Sequence, residues 1–124
     1  MMTKASSRDS LLLIGSGRLA AHLHHYFTLL GLPHKTWNRH QPSPVLTELL
    51  LTKPTIFLAI SDGALESFYQ EYLAGLNVLH GSGSFQSQQM ISCHPLMTFG
   101  HELYDLETYK KICFAMTGTE TLQN

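Results

Sequence analysis

The run Leu11-Leu12-Leu13-Ile14 is apolar without interruption and stops at Gly15. A strand with one solvated face alternates apolar and polar residues, so an unbroken run predicts a central parallel strand buried on both faces. Beyond Gly15 the period changes. Leu19, Ala20, Leu23, Tyr26, Phe27 and Leu30 recur at helical spacing, and Gly31 followed by Pro33 ends the helix. His34 to Trp37 reads as a short second strand, His40 to Pro44 as a loop, and Val45 to Leu51 as a short helix. Thr55 to Ile60 is the next buried strand. Ser61 or Asp62 can cap the following helix, whose inner face is Ala64, Leu65, Phe68, Tyr69, Tyr72 and Leu73. Asn77 to His80 forms another short strand, Gly81-Ser82-Gly83-Ser84 a flexible turn, Ile91 to Cys93 a strand before His94-Pro95, and Lys111 to Met116 the last strand. Strands alternating with helices predict an α/β fold, a doubly wound parallel sheet in three α/β/α layers. One domain over 11–118 is expected, with a flexible N-terminus at 1–10 and a tail at 119–124.

Composition narrows the functional classes. The 124 residues are 44% hydrophobic and 14% charged, which excludes a disordered or fibrous chain, and they leave room for one domain only. A net charge of −1 with no Lys/Arg block disfavours nucleic acid and anionic membranes as partners and favours a small-molecule substrate. The apolar run at 11–14 is far too short for a signal peptide or a membrane span, so a cytoplasmic location is the expectation. Cys93 and Cys113 have no CxxC partner and read as reduced, strand-borne core thiols. His22, His24 and His25 share one helix, but His22 and His25 lie off its apolar stripe, towards solvent, with no nearby Cys, Asp or Glu, so no metal site is expected.

The strand-to-helix turn Gly15-Ser16-Gly17-Arg18-Leu19-Ala20 carries the chemistry. A pyrophosphate can approach backbone closely only where no Cβ intervenes, which Gly15 and Gly17 allow, and a small third residue, Ala20, lets the helix pack on the strand. Free N–H groups at the helix start then meet the anion. These features predict a Rossmann NAD(P)-binding domain. About 20 residues beyond the glycines, where an NAD site carries Asp or Glu, this chain has Trp37-Asn38-Arg39. Without a carboxylate to repel a 2′-phosphate, with Arg39 to pair with it and Asn38 to hydrogen-bond the ribose, NADP is the expected cofactor.

The chain resembles the N-terminal half of a bacterial family of Rossmann-like proteins that carry a C-terminal domain of unknown function. That family stands in the 6-phosphogluconate dehydrogenase-like superfamily beside pyrroline-5-carboxylate reductase and the deazaflavin-dependent NADP reductases. The resemblance rests on Ile14 to Ala20, Ala59-Ile60-Ser61-Asp62, His80-Gly81-Ser82-Gly83, Cys93-His94-Pro95-Leu96-Met97-Thr98-Phe99 and Phe114-Ala115-Met116-Thr117-Gly118, with the His-Pro-Leu-x-Thr-Phe segment the most specific. It implies a following helical domain with dimer contacts, of which 119–124 would be the start and which this chain lacks, and hence a homodimer as the oligomer class. Where the family more often has Thr or Ser before Ser-Gly, this chain has Gly81. The short stretch from Pro44 to Lys53 leaves no room for a third strand of the first half, so Thr55 to Ile60 is expected beside the first strand, with Ile60, Ser61 and Asp62 at the switch point of the sheet.

His80, Ser82 and His94 end predicted strands on the side where such sheets present groups to ligands, and they are the candidate catalytic residues, with His94 foremost. An imidazole there can deliver the proton that accompanies reduction of a carbonyl or imine, although a histidine satisfied by packing fits the same pattern. Two functions follow: the cofactor half of an NADP-dependent oxidoreductase acting on a small carbonyl or imine compound, or a stand-alone nucleotide-binding or sensing module without turnover.

Overall fold

A computed structural model describes residues 10–118. Of the N-terminal segment expected at 1–10 only Ser10 is described, and residues 1–9 and the tail at 119–124 lie outside the described residues. Six strands form one sheet in the order β2-β1-β3-β4-β5-β6. They are β1 (Leu11–Ile14), β2 (Lys35–Trp37), β3 (Thr55–Leu58), β4 (Val78–His80), β5 (Met90–Pro95) and β6 (Phe114–Thr117). The helices are α1 (Arg18–Leu29), α2 (Ser43–Leu49), α3 (Asp62–Phe68) and α4 (Leu106–Lys110). α2 starts ahead of Val45 because Pro44, in its first turn, needs no N–H partner there.

The uninterrupted apolar strands are buried on both faces. Leu12 and Ile14 pack with Ile56, Leu58, Val78 and Met90 against Leu46 of α2 and Leu65 of α3, and Tyr69 and Leu73 of the π-turn that prolongs α3 join them. Leu13 and Phe57 point the other way, onto Ala20 and Leu23 of α1. Helices therefore cover both faces. β3 pairs with β1 in parallel, Leu11 opposite Thr55 through Ile14 opposite Leu58, so the chain reverses direction across the sheet between these strands.

Four expectations need correction. β6 runs antiparallel to β5, so the sheet is mostly but not wholly parallel. Leu96 N–H bonds Cys113 C=O, which brings both ends of the intervening link to one edge of the sheet, and a link that never crosses the sheet can only return antiparallel. Cys113 is exposed in the turn before β6, and only Cys93 is strand-borne, half-buried, with burial pushing its thiol pKa up. His22 is 1% exposed instead of facing solvent, because α4 and the segment before it cover that side of α1. Leu30 falls beyond this cover and is exposed.

Candidate functional site

β1 and β3 end side by side at their carboxyl ends, and Gly15 fills the junction. Its N–H donates to Trp37 O at 2.9 Å while Ala59 N–H donates to Ile14 O at 2.7 Å, so three strand ends meet at one residue. Gly15 has φ +145°, and a Cβ there would run into the Ala59 carbonyl and sit 3.3 Å from Ala20 Cβ. This is the close packing that the small residue at 20 was expected to permit. Gly17, the N-cap of α1, is different: a Cβ on it would meet no atom within 4 Å. Among the described residues, the N–H groups of Arg18, Leu19 and Ala20 have no acceptor, and no side chain caps them.

These features border a cleft of about 410 Å³. The turn from Gly15 to Leu19 forms one side, Asn38 and Arg39 the end of β2, and Ile60 and Ser61 the end of β3. Nine of the residues singled out from sequence are thus brought together in one concavity. Ala20 is buried beneath the turn. Asp62 does not line the cleft, and its Oδ2 accepts from the Ser82 hydroxyl at 2.8 Å and the Ser84 hydroxyl at 3.3 Å. Ala64 and Phe68, which sequence reasoning assigned only to core packing, line an apolar side of the cleft together with Trp37.

Among the described residues no carboxylate lines the cleft. Arg39 is exposed and has no hydrogen-bond or ion-pair partner among the described residues. Asn38 Oδ1 accepts from His40 N–H at 2.9 Å, which shapes the turn and leaves the Asn38 amide NH₂ free to donate.

The candidate catalytic residues sit apart from this cleft. His80 is fully buried: its Nδ1 accepts from Ser82 N–H at 3.1 Å, so the neutral ring carries its proton on Nε2, which has no partner and lies in a ring that meets Phe85 edge-on. Burial lowers its pKa against the opposing pull of Asp62, and its ring has no opening to a ligand. Ser82 is 7% exposed and organises its own loop, accepting from Ser84 and Phe85 N–H groups, while its C=O accepts from the Ser92 hydroxyl at 2.7 Å. The turn expected to be flexible is therefore hydrogen-bonded at Gly81, Ser82 and Ser84. His94 is half-buried, its Nδ1–H donates to Gly81 O at 2.9 Å, and Nε2 keeps a free lone pair. A Cβ on Gly83 would press on that ring at 2.8 Å, so the glycine is what lets the imidazole seat there.

Sequence reasoning missed the segment from Phe99 to Tyr109. His22 Nε2–H donates to Gly100 O and Nδ1 accepts from Tyr109 O–H, both at 2.8 Å, with the ring stacked on Phe99. The even five-residue spacing of Phe99, Tyr104 and Tyr109 was the available signal, but it matches neither a helix nor a strand period. Among the described residues no helix is long and apolar enough to cross a membrane, and no group of three or more His, Cys, Asp or Glu could hold a metal ion. Comparison with protein-family models, curated proteins and solved structures finds no match to this chain.

Proposed function

We propose that the chain is a Rossmann-type NADP(H)-binding domain of an oxidoreductase that reduces a small carbonyl or imine compound. The observation that carries this reading is the cleft at the carboxyl ends of β1 and β3, which joins a Cβ-free turn and unsatisfied helix N–H groups to an Arg39 that, among the described residues, is unpaired and faces no carboxylate in the cleft. Open α/β sheets bind ligands at such a switch point, outside the carboxyl ends of their strands. The residues fit the group: Gly17 leaves room for the pyrophosphate, the first turn of α1 offers donors to it, Asn38 offers an amide to the ribose, and Arg39 a fork to the 2′-phosphate. Ala64 and Phe68, both half-buried, offer apolar surface to the adenine. His94, with Nδ1–H fixed on Gly81 O, is the remaining candidate for a proton carrier through Nε2.

A second reading, a binding or sensing module without turnover, is favoured by the absence of His80, Ser82 and His94 from the cleft walls. Steady NADPH oxidation by the 124-residue chain with a small ketone or imine would remove it. The dinucleotide itself is tested by Arg39→Ala. A hydrogen bond to a charged group contributes about 1.5–3 kcal/mol, so NADPH should weaken roughly ten- to over a hundredfold and NADH by less than about threefold. Titration of both by nicotinamide fluorescence checks this: equal loss makes Arg39 structural, and no NADPH binding by the parent chain overturns the reading.

A further inference from the structure

We propose a second anion subsite on the other side of the glycine turn, where Arg18 and His101 line a cavity of about 310 Å³ and receive the oxygens of a carboxylate or phosphate group. The cavity shares Ser16, Gly17 and Arg18 with the cleft, so a ligand crossing the turn reaches both. Its link to redox chemistry rests on the preceding reading, but the wall formed by Ala21, His22, Gly100 and His101 belongs to this cavity and not to the cleft.

Arg18 is exposed, and no described carboxylate lies within ion-pair distance of it. Its partner is His101 Nε2 at 2.8 Å. A guanidinium has no lone pair, so Nε2 must accept and the imidazole proton sits on Nδ1, which has no partner among the described residues. The pair therefore presents a full positive charge and unspent N–H donors, a set that suits anionic oxygen. Glu102 and Asp105 belong to the same segment, yet neither lines the cavity, and Asp105 is engaged as the cap of α4 through Thr108 N–H at 2.9 Å.

The wall that carries His101 is held in place. His22, 1% exposed, uses both ring nitrogens to tie Gly100 and Tyr109 to α1, and Tyr109 O in turn accepts from Tyr104 N–H at 3.1 Å. His22 acts as a positioning residue: it joins the helix that begins at the glycine turn to the loop that faces it. Ala21, small and exposed, keeps the space between them open.

The test uses the whole chain with inorganic pyrophosphate and with pyruvate as probes, followed by calorimetry and by the imidazole NMR signals of His101. We expect His101 to shift on titration, and R18Q to weaken whichever anion binds by about tenfold or more, as expected for loss of a charged donor, with H101N acting in the same direction. Pyruvate that still binds beside saturating NADPH identifies a substrate carboxylate at the second subsite, and pyruvate displaced by NADPH makes the two cavities one pyrophosphate seat and overturns it. An unmoved His101 with wild-type affinities in R18Q and H101N refutes the subsite while leaving NADPH binding intact. Arg18-dependent pyrophosphate binding in a chain that does not bind NADPH keeps the subsite and overturns the dinucleotide reading.

Discussion

Gly15→Ala and Gly17→Ala, two positions apart in one turn, should fail in opposite ways. At Gly15 the backbone has φ +145°, which an L side chain rarely adopts, and holding Ala there costs about 1–3 kcal/mol. The added methyl would also stand 2.9 Å from the Ala59 carbonyl carbon and closer still to its oxygen. That carbonyl belongs to backbone whose N–H is already bonded to Ile14 O at 2.7 Å, so it cannot swing away without parting β1 from β3. Overpacking of this kind adds a further ~1–3 kcal/mol. The sum, roughly 2–6 kcal/mol, corresponds to a fall in Tm of about 10 °C or more in a domain of this size. Gly17 has φ −85° and open space around its Cβ direction, so Gly17→Ala costs the fold only the difference between Gly and Ala at an N-cap, about 0.5–1 kcal/mol. Its methyl would stand where the pyrophosphate is proposed, and NADPH affinity should drop at least about tenfold, ~1.4 kcal/mol. Urea unfolding followed by the single Trp37, which is 4% exposed and whose carbonyl accepts the Gly15 N–H, reads the first effect directly. Cofactor titration reads the second. A Gly15→Ala protein within about 1 kcal/mol of the parent would refute the close-packing argument, since the two costs together come to at least about 2 kcal/mol. A stable Gly17→Ala protein with unchanged NADPH affinity would refute the phosphate site.

Tyr109→Phe strips the donor from buried His22 Nδ1 and the acceptor from Tyr104 N–H, and an unsatisfied buried group costs about 1–3 kcal/mol, so amide exchange across 99–104 should accelerate while exchange in β1 and β3 changes only with global stability. His80 is held neutral by burial below its ordinary 6.5, so the unfolded chain takes up a proton that the folded chain refuses once the pH drops past that value. Its contribution to stability is present above about pH 6.5 and fades as the pH falls towards the lowered folded value, so urea midpoints between pH 5 and 8 should slope less in His80→Asn than in the parent, and equal slopes would count against this account.

Much of the frame was legible because burial on two faces leaves an unmistakable trace. Leu11–Ile14 and Thr55–Leu58 cannot alternate when both faces pack on helices, and the shortness of the stretch between Pro44 and Lys53 was enough to seat β3 beside β1. The glycine turn was legible in part, since the fold requires an absent Cβ at Gly15, beside the Ala59 carbonyl, and leaves open space at Gly17. What depended on distant parts of the chain was not. His22 and Tyr109 are 87 positions apart, and no local period tells that a histidine off the apolar stripe of α1 will be covered by a helix formed much later. His80 and Ser82 likewise read as strand-end chemistry, but the fold closes Phe85 over one and binds the other to Asp62. Helix and strand periods are properties of neighbours along the chain and can be read there, whereas which polar group is sealed, paired or left facing a cleft is decided by whatever the rest of the chain lays against it.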